Sequence, residues 1–411
     1  MKDNTKHDPF AALRFREFRF YILGRFFLTT AVNFQAVCVG WQIYELTKDP
    51  FSLGLIGLAE AIPYILIALF AGYVVDHYDR KKILLTAVFT LVLSSALLFY
   101  LSMNIDQSKS NVIYTIYSLI FVTGLARGFV SPSMFAIMSQ TVPKEIYGNS
   151  STWNSTVWQI GAVGGPAIAG FVYGFLGVSK AYLTNTFLFG LAFLFFSLVA
   201  VKALIKSERT EGLRKSLTAG LKFVFGHQLL VSALTLDLFA VFFGGAVALL
   251  PMMADQILMV GPKGLGILRS APAFGALIMA IFLAYHPLKE NAGKKLLYAV
   301  ALFGCCIIGF ALSRNFYLSV LFLALSGAFD NVSVVIRTTI VQLFTPDNMR
   351  GRVSSVNSIF IGSSNEIGAF ESGFAAKALG LIPSILFGGS MTILVTGITA
   401  RFAPKLRNLN L

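Results

Sequence analysis

Residues 51–104 read FSLGLIGLAEAIPYILIALFAGYVVDHYDRKKILLTAVFTLVLSSALLFYLSMN. Two apolar runs, 51–75 and 82–104, flank a short cluster in which Asp76, Asp79, Arg80, Lys81 and Lys82 crowd together. A bilayer core about 30 Å thick is crossed by roughly 20 apolar residues in a helix, since only a helix or a closed barrel satisfies the backbone there. Each run is long enough to cross, and the charged cluster between them is a tight polar turn at the membrane surface. The same alternation extends outward in both directions. Spans are predicted at 18–46, 51–75, 82–104, 112–138, 151–176 and 181–204, and again at 229–257, 264–285, 295–313, 316–341, 353–380 and 382–402. The chain is therefore expected to be an all-α membrane protein, with twelve transmembrane helices in two pseudo-symmetric six-helix bundles. These bundles are 1–204 and 229–411, joined by a cytoplasmic linker, 205–228. The run at 353–380 is the most polar of the twelve. Composition agrees: 56% of residues are apolar and 13% charged, against roughly 25% charged in a soluble domain. Mean hydropathy is +0.74.

The 33 basic residues are placed unevenly. With the N-terminus in the cytoplasm, the loops on that side collect 23 of them, and the opposite loops only 6 (Lys48, Lys109, Lys180, Lys263, Arg314 and Lys377). Lysine and arginine accumulate on cytoplasmic loops, so both termini are predicted to be cytoplasmic. The net charge of +14 then reflects this bias and an attraction to anionic lipid headgroups, with no nucleic-acid partner implied. Met1 to Phe20 is basic and polar and does not read as a cleavable signal. Cys38, Cys305 and Cys306 lie inside apolar runs and the four histidines are scattered, so neither a disulfide framework nor a metal site is expected. The absence of a nucleophile–base set or a phosphate loop argues against an enzyme, and no cofactor is expected.

The two halves share short frames. Pro143, Gly148 and Asn154 have the spacing of Pro346, Gly351 and Asn357; Pro50, Leu53 and Gly54 have that of Pro262, Leu265 and Gly266. Both pairs fall at equivalent joints of a six-helix unit. Parallel repeats of this kind are a transporter architecture, with the site between the halves.

The loop Gly72-Tyr-Val-Val-Asp76-His-Tyr-Asp79-Arg80-Lys81-Lys82 resembles the motif between helices 2 and 3 of the major facilitator superfamily. Gly72, Asp76, Arg80 and Lys81 match that motif, while His77 and Asp79 replace its usual arginine and glycine. Helix 5 carries Gly161, Gly165, Pro166, Ala169 and Gly170, similar to the glycine–proline motif of antiporters in the superfamily; Thr152 stands at its upstream glycine position. In the second half, the stretches from Asp237, from Asp330 to Arg337, from Thr345 to Ser354 and from Ser364 to Glu366 resemble a bacterial exporter branch related to the enterobactin exporter. The resemblance implies the twelve-helix fold, a central cavity lined by helices 1, 4, 7 and 10, and export across a bacterial inner membrane.

Charges inside a bilayer cost several kcal/mol unless paired or hydrated, so each one is a functional candidate. The interior set is Arg25, Glu60, Arg127, Asp237, Arg269, Asp330, Arg337, Glu366 and Glu371. The repeat frame places Arg25 and Asp237 at corresponding positions, and likewise Arg127 and Asp330. Three readings are open: attraction across the halves that closes the cytoplasmic side, pairing within each half (as Asp330 with Arg337), or direct contact with substrate. Glu60 has no basic residue within two turns of its own helix and is the first candidate for a proton carrier; Glu366 is the second. The expected activity is proton-coupled efflux by antiport, in which a monomer expels a small amphipathic molecule of drug or siderophore type by alternating access. The alternatives are proton-coupled import of a small organic solute and a membrane receptor without transport.

Overall fold

The computed structural model describes residues 8–103, 108–200, 221–286, 290–346 and 349–410. Side chains at 68, 69, 73, 76, 350–352, 354, 355, 358, 359 and 363 lie outside the described set, the expected motif residue Asp76 among them. Of the expected linker, 205–220 also falls outside. The described residues build α1 (Arg16–Thr47), α2 (Pro50–His77), α3 (Arg80–Met103) and α4 (Lys109–Thr141). The 52-residue run Tyr147–Leu198 follows, broken at Gly177 into two arms, α5 (147–176) and α6 (178–198). The second half comprises α7 (Gln228–Gly244), α8 (Gly261–Tyr285), α9 (Ala292–Leu312), α10 (Phe316–Phe344), α11 (Arg350–Leu379), α12 (Leu381–Phe402) and the short α13 (Pro404–Arg407). Ten of the helical runs are long and apolar enough to cross a membrane. One holds both α5 and α6, and the polar α11 makes twelve crossing arms among the described residues.

Side chains set several of these boundaries. Asp49 accepts from the Ser52 N–H at 3.2 Å and starts α2 at Pro50, where a missing N–H costs nothing. Asp79 accepts from the Lys81 and Lys82 N–H groups at 3.0 and 3.1 Å and starts α3. This N-cap is what the aspartate supplies where the family motif has glycine. α6 ends at Leu198, short of the expected 204, because the chain turns extended at Val199 and the Glu17 carboxylate takes the Ala200 N–H. The expected span 229–257 is not one helix either. After Gly244 it becomes a 3-10 turn (Ala246–Leu249), a single helical turn carrying Pro251 and a π turn (Met253–Ile257). Two glycines and a proline that cannot donate break the regular ladder there.

The internal repeat is visible in backbone geometry. Gly177 has φ +82° and Gly380 φ +94°, and each alone makes the turn between two helices. A residue with a Cβ is strained at such angles. The 203-residue displacement that carries Pro143 onto Pro346 also carries Gly177 onto Gly380. It further carries Gly170 onto Gly373, and the 212-residue displacement of the first two helices carries Gly54 onto Gly266. These four glycines make the two crossings between the halves. A Cβ on Gly170 would stand 2.6 Å from the Pro262 carbonyl and 2.7 Å from Gly266 Cα, and one on Gly373 would stand 2.7 Å from the Pro50 carbonyl and 2.6 Å from Gly54 Cα. α5 therefore meets α8, and α11 meets α2, backbone against backbone.

Both crossings lie toward the end of the bundle that carries the α1–α2, α5–α6 and α7–α8 turns, termed here the hairpin end; the opposite, terminal end carries residues 8 and 410. One hydrophobic core spans both halves near the hairpin end, with Trp41, Tyr44, Leu53, Leu250, Leu265 and Phe310 in it. Two more belong to single halves: Phe18, Tyr21, Leu91 and Phe196 in the first, and Leu230, Leu296, Val300 and Ile336 in the second.

Candidate functional site

Between the halves lies a cavity of about 570 Å³, lined by residues of α1, α2, α4 and α6 to α11. Ligand pockets run from about 300 to 1,000 Å³. Its walls combine apolar side chains (Val39, Val241, Phe303, Leu323) with Asn33, Gln35, Tyr64 and Asn365, and, among the described residues, with five acidic or basic groups: Glu60, Arg127, Arg269, Asp330 and Glu366. Glu60 on α2 and Arg127 on α4 form an ion pair within the first half. Their helices are pressed together here, since a Cβ on Gly124 would stand 2.6 Å from the Glu60 carbonyl. Glu366 enters from α11, and a Cβ on Gly57 of α2 would stand 2.7 Å from its carbonyl. It interacts electrostatically with Arg127 of the first half and Arg269 of the second. Tyr64 of α2 also senses the Glu366 charge, and its ring lies against Gly362.

The ion pairs at these charges lie within single halves, one of the three readings left open, but the partners differ from those the sequence suggested. Glu60 is not partnerless: no base lies near it along the chain, but Arg127 reaches it from the neighbouring helix. Arg337 does not pair with Asp330; those residues are two turns apart, about 10.5 Å of helix rise. Arg337 instead crosses from α10 to Asp237 on α7, where the two side chains are 5% and 9% exposed. Arg25 meets neither aspartate, and its Nη1 donates to Met134 Sδ at 3.5 Å. At the cavity it is Glu366, rather than an aspartate, whose charge acts on Arg127 across the halves. Asp237 is set back from the main cavity and shares a small adjoining space with Asp330 and Ser333.

The motif residues are structural neighbours of the site. Lys81 Nζ donates to the Ser197 carbonyl at 2.7 Å, joining α3 to α6, and Arg80 Nε donates to the Val75 carbonyl at 3.4 Å. Gly72 is exposed at the terminal end, with nothing where its Cβ would be. On α5, Gly161 and Gly165 receive Thr29 and Thr30 of α1, while Pro166 and Gly170 face Gly266 of α8 across the halves.

A latch at the hairpin end was not foreseen. Lys48 Nζ donates to Asp255 at 3.0 Å, the Tyr44 hydroxyl donates to the same carboxylate at 2.8 Å, and Lys377 Nζ donates to Asp49 at 2.6 Å. All three contacts join the halves. The hydrogen bond from Lys48 to Asp255 raises the lysine's pKa against the cost of desolvation. Burial pushes the Asp49 carboxyl up, but Lys377 and the Ser52 hydrogen bonds outweigh it and hold the pKa below the ordinary value.

A family model described as transmembrane secretion effector matches residues 7–410. The chain belongs to the major facilitator superfamily. Members of this superfamily with similar sequences include the multidrug efflux pump Tap of Mycolicibacterium fortuitum, 24% identical over 393 residues, covering 91% of this chain and 92% of that protein. The enterobactin exporter EntS of Shigella flexneri is 27% identical over 351 residues, covering 82% of this chain and 80% of that protein. Among solved structures, a POT family transporter in complex with 5-aminolevulinic acid superposes with a TM-score of 0.77 at 11% identity, covering 95% of this chain and 97% of that one. A D-xylose–proton symporter does so with a TM-score of 0.74 at 12% identity, covering 98% and 100%. These two likenesses establish the fold. The protein is a multi-pass membrane transporter and not an enzyme.

Proposed function

We propose that this transporter is a proton-coupled exporter of small amphipathic molecules, working by alternating access in a bacterial inner membrane with both termini cytoplasmic. The observation that carries the reading is a mixed-charge cavity between the halves, latched at the hairpin end. The lysine and arginine bias assigns the hairpin end to the outside, so the sealed end faces outward and the cavity receives substrate from the cytoplasm. The relatives named as a multidrug efflux pump and an enterobactin exporter support the outward direction.

Arg127 supplies the coupling element. It is shared between Glu60 of its own half and Glu366 of the other. A proton on Glu60 frees Arg127 for Glu366 and strengthens attraction across the halves; its loss restores the pair within the first half. A proton on Glu366 does the reverse. One cation thus biases two conformations, each contact being favourable in only one of them.

The test uses everted membrane vesicles with a fluorescent amphipathic dye. Export appears as uptake that an imposed inward-acidic pH gradient drives and an uncoupler abolishes. Glu60→Gln is expected to retain dye binding and lose gradient-driven uptake by at least about tenfold, as Gln mimics only the protonated form. The exchange Glu60→Arg with Arg127→Glu is expected to recover part of it. Dye moving out of everted vesicles down the same gradient would make the protein an importer, and undiminished pumping by Glu60→Gln would remove that residue from coupling.

A further inference from the structure

Four of the five acidic or basic side chains described on the cavity wall balance one another. Arg127 contacts Glu60, and Glu366 interacts with both Arg127 and Arg269, so two positive and two negative groups form one connected set. Asp330 on α10 is the fifth. It makes no hydrogen bond or ion pair among the described residues, and burial alone acts on its carboxyl. The groups packed around it offer no base. From α7 it faces Asp237, whose charge is taken by Arg337, with Val241 beside it; from its own helix it faces Ser333, and from α9 Val300 and Phe303. The cavity charges on α8 and α11, Arg269 and Glu366, answer each other.

A carboxylate at this depth is stable only when it carries a proton or faces a cation. The wall near it is apolar and aromatic, with Val241, Phe303, Ile307 and Leu323 lining the same cavity. A phenyl face is a favourable neighbour for a soft, weakly hydrated positive charge. We propose that Asp330 and this wall form the recognition site for a lipophilic monocation, whose charge replaces the proton on Asp330. The cavity with Asp330 ionised carries one net negative charge, so monocations are favoured over neutral molecules, and multiply charged anions are disfavoured. The binding step is an exchange: the cation enters, the O–H bond of Asp330 breaks, and its proton leaves to water. This inference rests on the cavity being the substrate site, but not on the direction of transport.

The experiment measures binding of tetraphenylphosphonium to the purified transporter by equilibrium dialysis between pH 5 and 9, together with proton release. The probe's charge is permanent, so any pH dependence belongs to the protein. Wild type is expected to bind more tightly as pH rises and to release up to one proton per cation, the release falling away at pH values where Asp330 is already ionised. Asp330→Asn is expected to bind at least about tenfold more weakly, with a flat pH profile; Asp330→Glu is expected to keep both the affinity range and the slope. Thermal unfolding of each variant separates loss of the site from loss of the fold, and the glutamate variant carries the test if the asparagine variant fails to fold. No binding by wild type, wild-type affinity in Asp330→Asn, or a pH profile that survives Asp330→Asn and vanishes in Glu366→Gln would each overturn the assignment. Binding as expected without transport in vesicles would sink the exporter reading and leave this site standing.

Discussion

Gly373→Ala and Gly170→Ala should weaken the sealed hairpin end, and by similar amounts. A Cβ at 373 would stand 2.6 Å from Gly54 Cα and 2.7 Å from both the Gly54 nitrogen and the Pro50 carbonyl. One at 170 would meet the Pro262 carbonyl at 2.6 Å and Gly266 Cα at 2.7 Å. All of these are backbone atoms that cannot rotate away. Relief to an ordinary contact requires α11 to move from α2, or α5 from α8, by about 1 Å. Overpacking of this kind costs about 1–3 kcal/mol. Both crossings unite the halves at the sealed end, so the cost falls on that conformation, and the sealed population should drop by about 5- to 150-fold relative to the outward-open one. The assay is electron spin resonance between labels at Tyr114 on α4 and Tyr317 on α10, which are 70% and 80% exposed, with Cys38, Cys305 and Cys306 replaced. Both variants should shift the distance distribution toward the longer component. Gly164→Ala, where nothing stands within 4 Å, should not. A Gly373→Ala distribution identical to wild type would refute the idea that backbone contact holds this end closed, and a shift in only one variant would refute the equivalence of the crossings.

Three further outcomes follow from the same geometry. The latch should be insensitive to pH between about 5 and 9. Its Asp49 arm is present at neutral pH and lost as pH falls through the carboxyl's depressed pKa, below 3.8, while the Lys48 arm is intact below 10.5 and lost as pH rises through the raised lysine value. With Lys377 62% and Lys48 55% exposed, each pair should contribute only about 0.2–1 kcal/mol and weaken with salt, read from the same labels. Arg337→Ala should destabilise the protein by about 3–5 kcal/mol in detergent melts by stranding Asp237, and adding Asp237→Leu should recover most of it. Gly177→Ala and Gly380→Ala should each cost about 1–3 kcal/mol in the same melts, because both residues hold φ values that a Cβ resists.

The helices were legible because each has to satisfy its own backbone inside a bilayer, which leaves a long apolar run in the sequence. The repeat was legible at its turns, where Pro50 and Pro262, and Pro143 and Pro346, mark the joints. The charge pairs were not legible. Glu60 has no base near it along its helix, yet Arg127 meets it from α4, because the Gly124 crossing brings the two helices within backbone contact. Periodicity describes one helix at a time and carries no information on which faces meet. The same limit hid Arg269 as a partner of Glu366, and the latch made of Tyr44, Lys48, Asp49, Asp255 and Lys377. The α7 break lay hidden for a different reason: residues 229–257 are apolar enough on average to read as one span, and hydropathy does not register that Gly244, Gly245 and Pro251 interrupt the ladder.

The one-residue turns at Gly177 and Gly380 bear on how the chain is threaded into the bilayer during synthesis. A helix normally leaves the translocon when a hydrophilic loop behind it has somewhere aqueous to go. No such loop separates α5 from α6, or α11 from α12. Each pair has to partition into lipid as a preformed helical hairpin, with the lone glycine peptide carried across at its tip. Because α11 supplies Gly362, Asn365, Glu366 and Ala369 to the cavity wall, the second half cannot close around that cavity until this hairpin has entered as a unit.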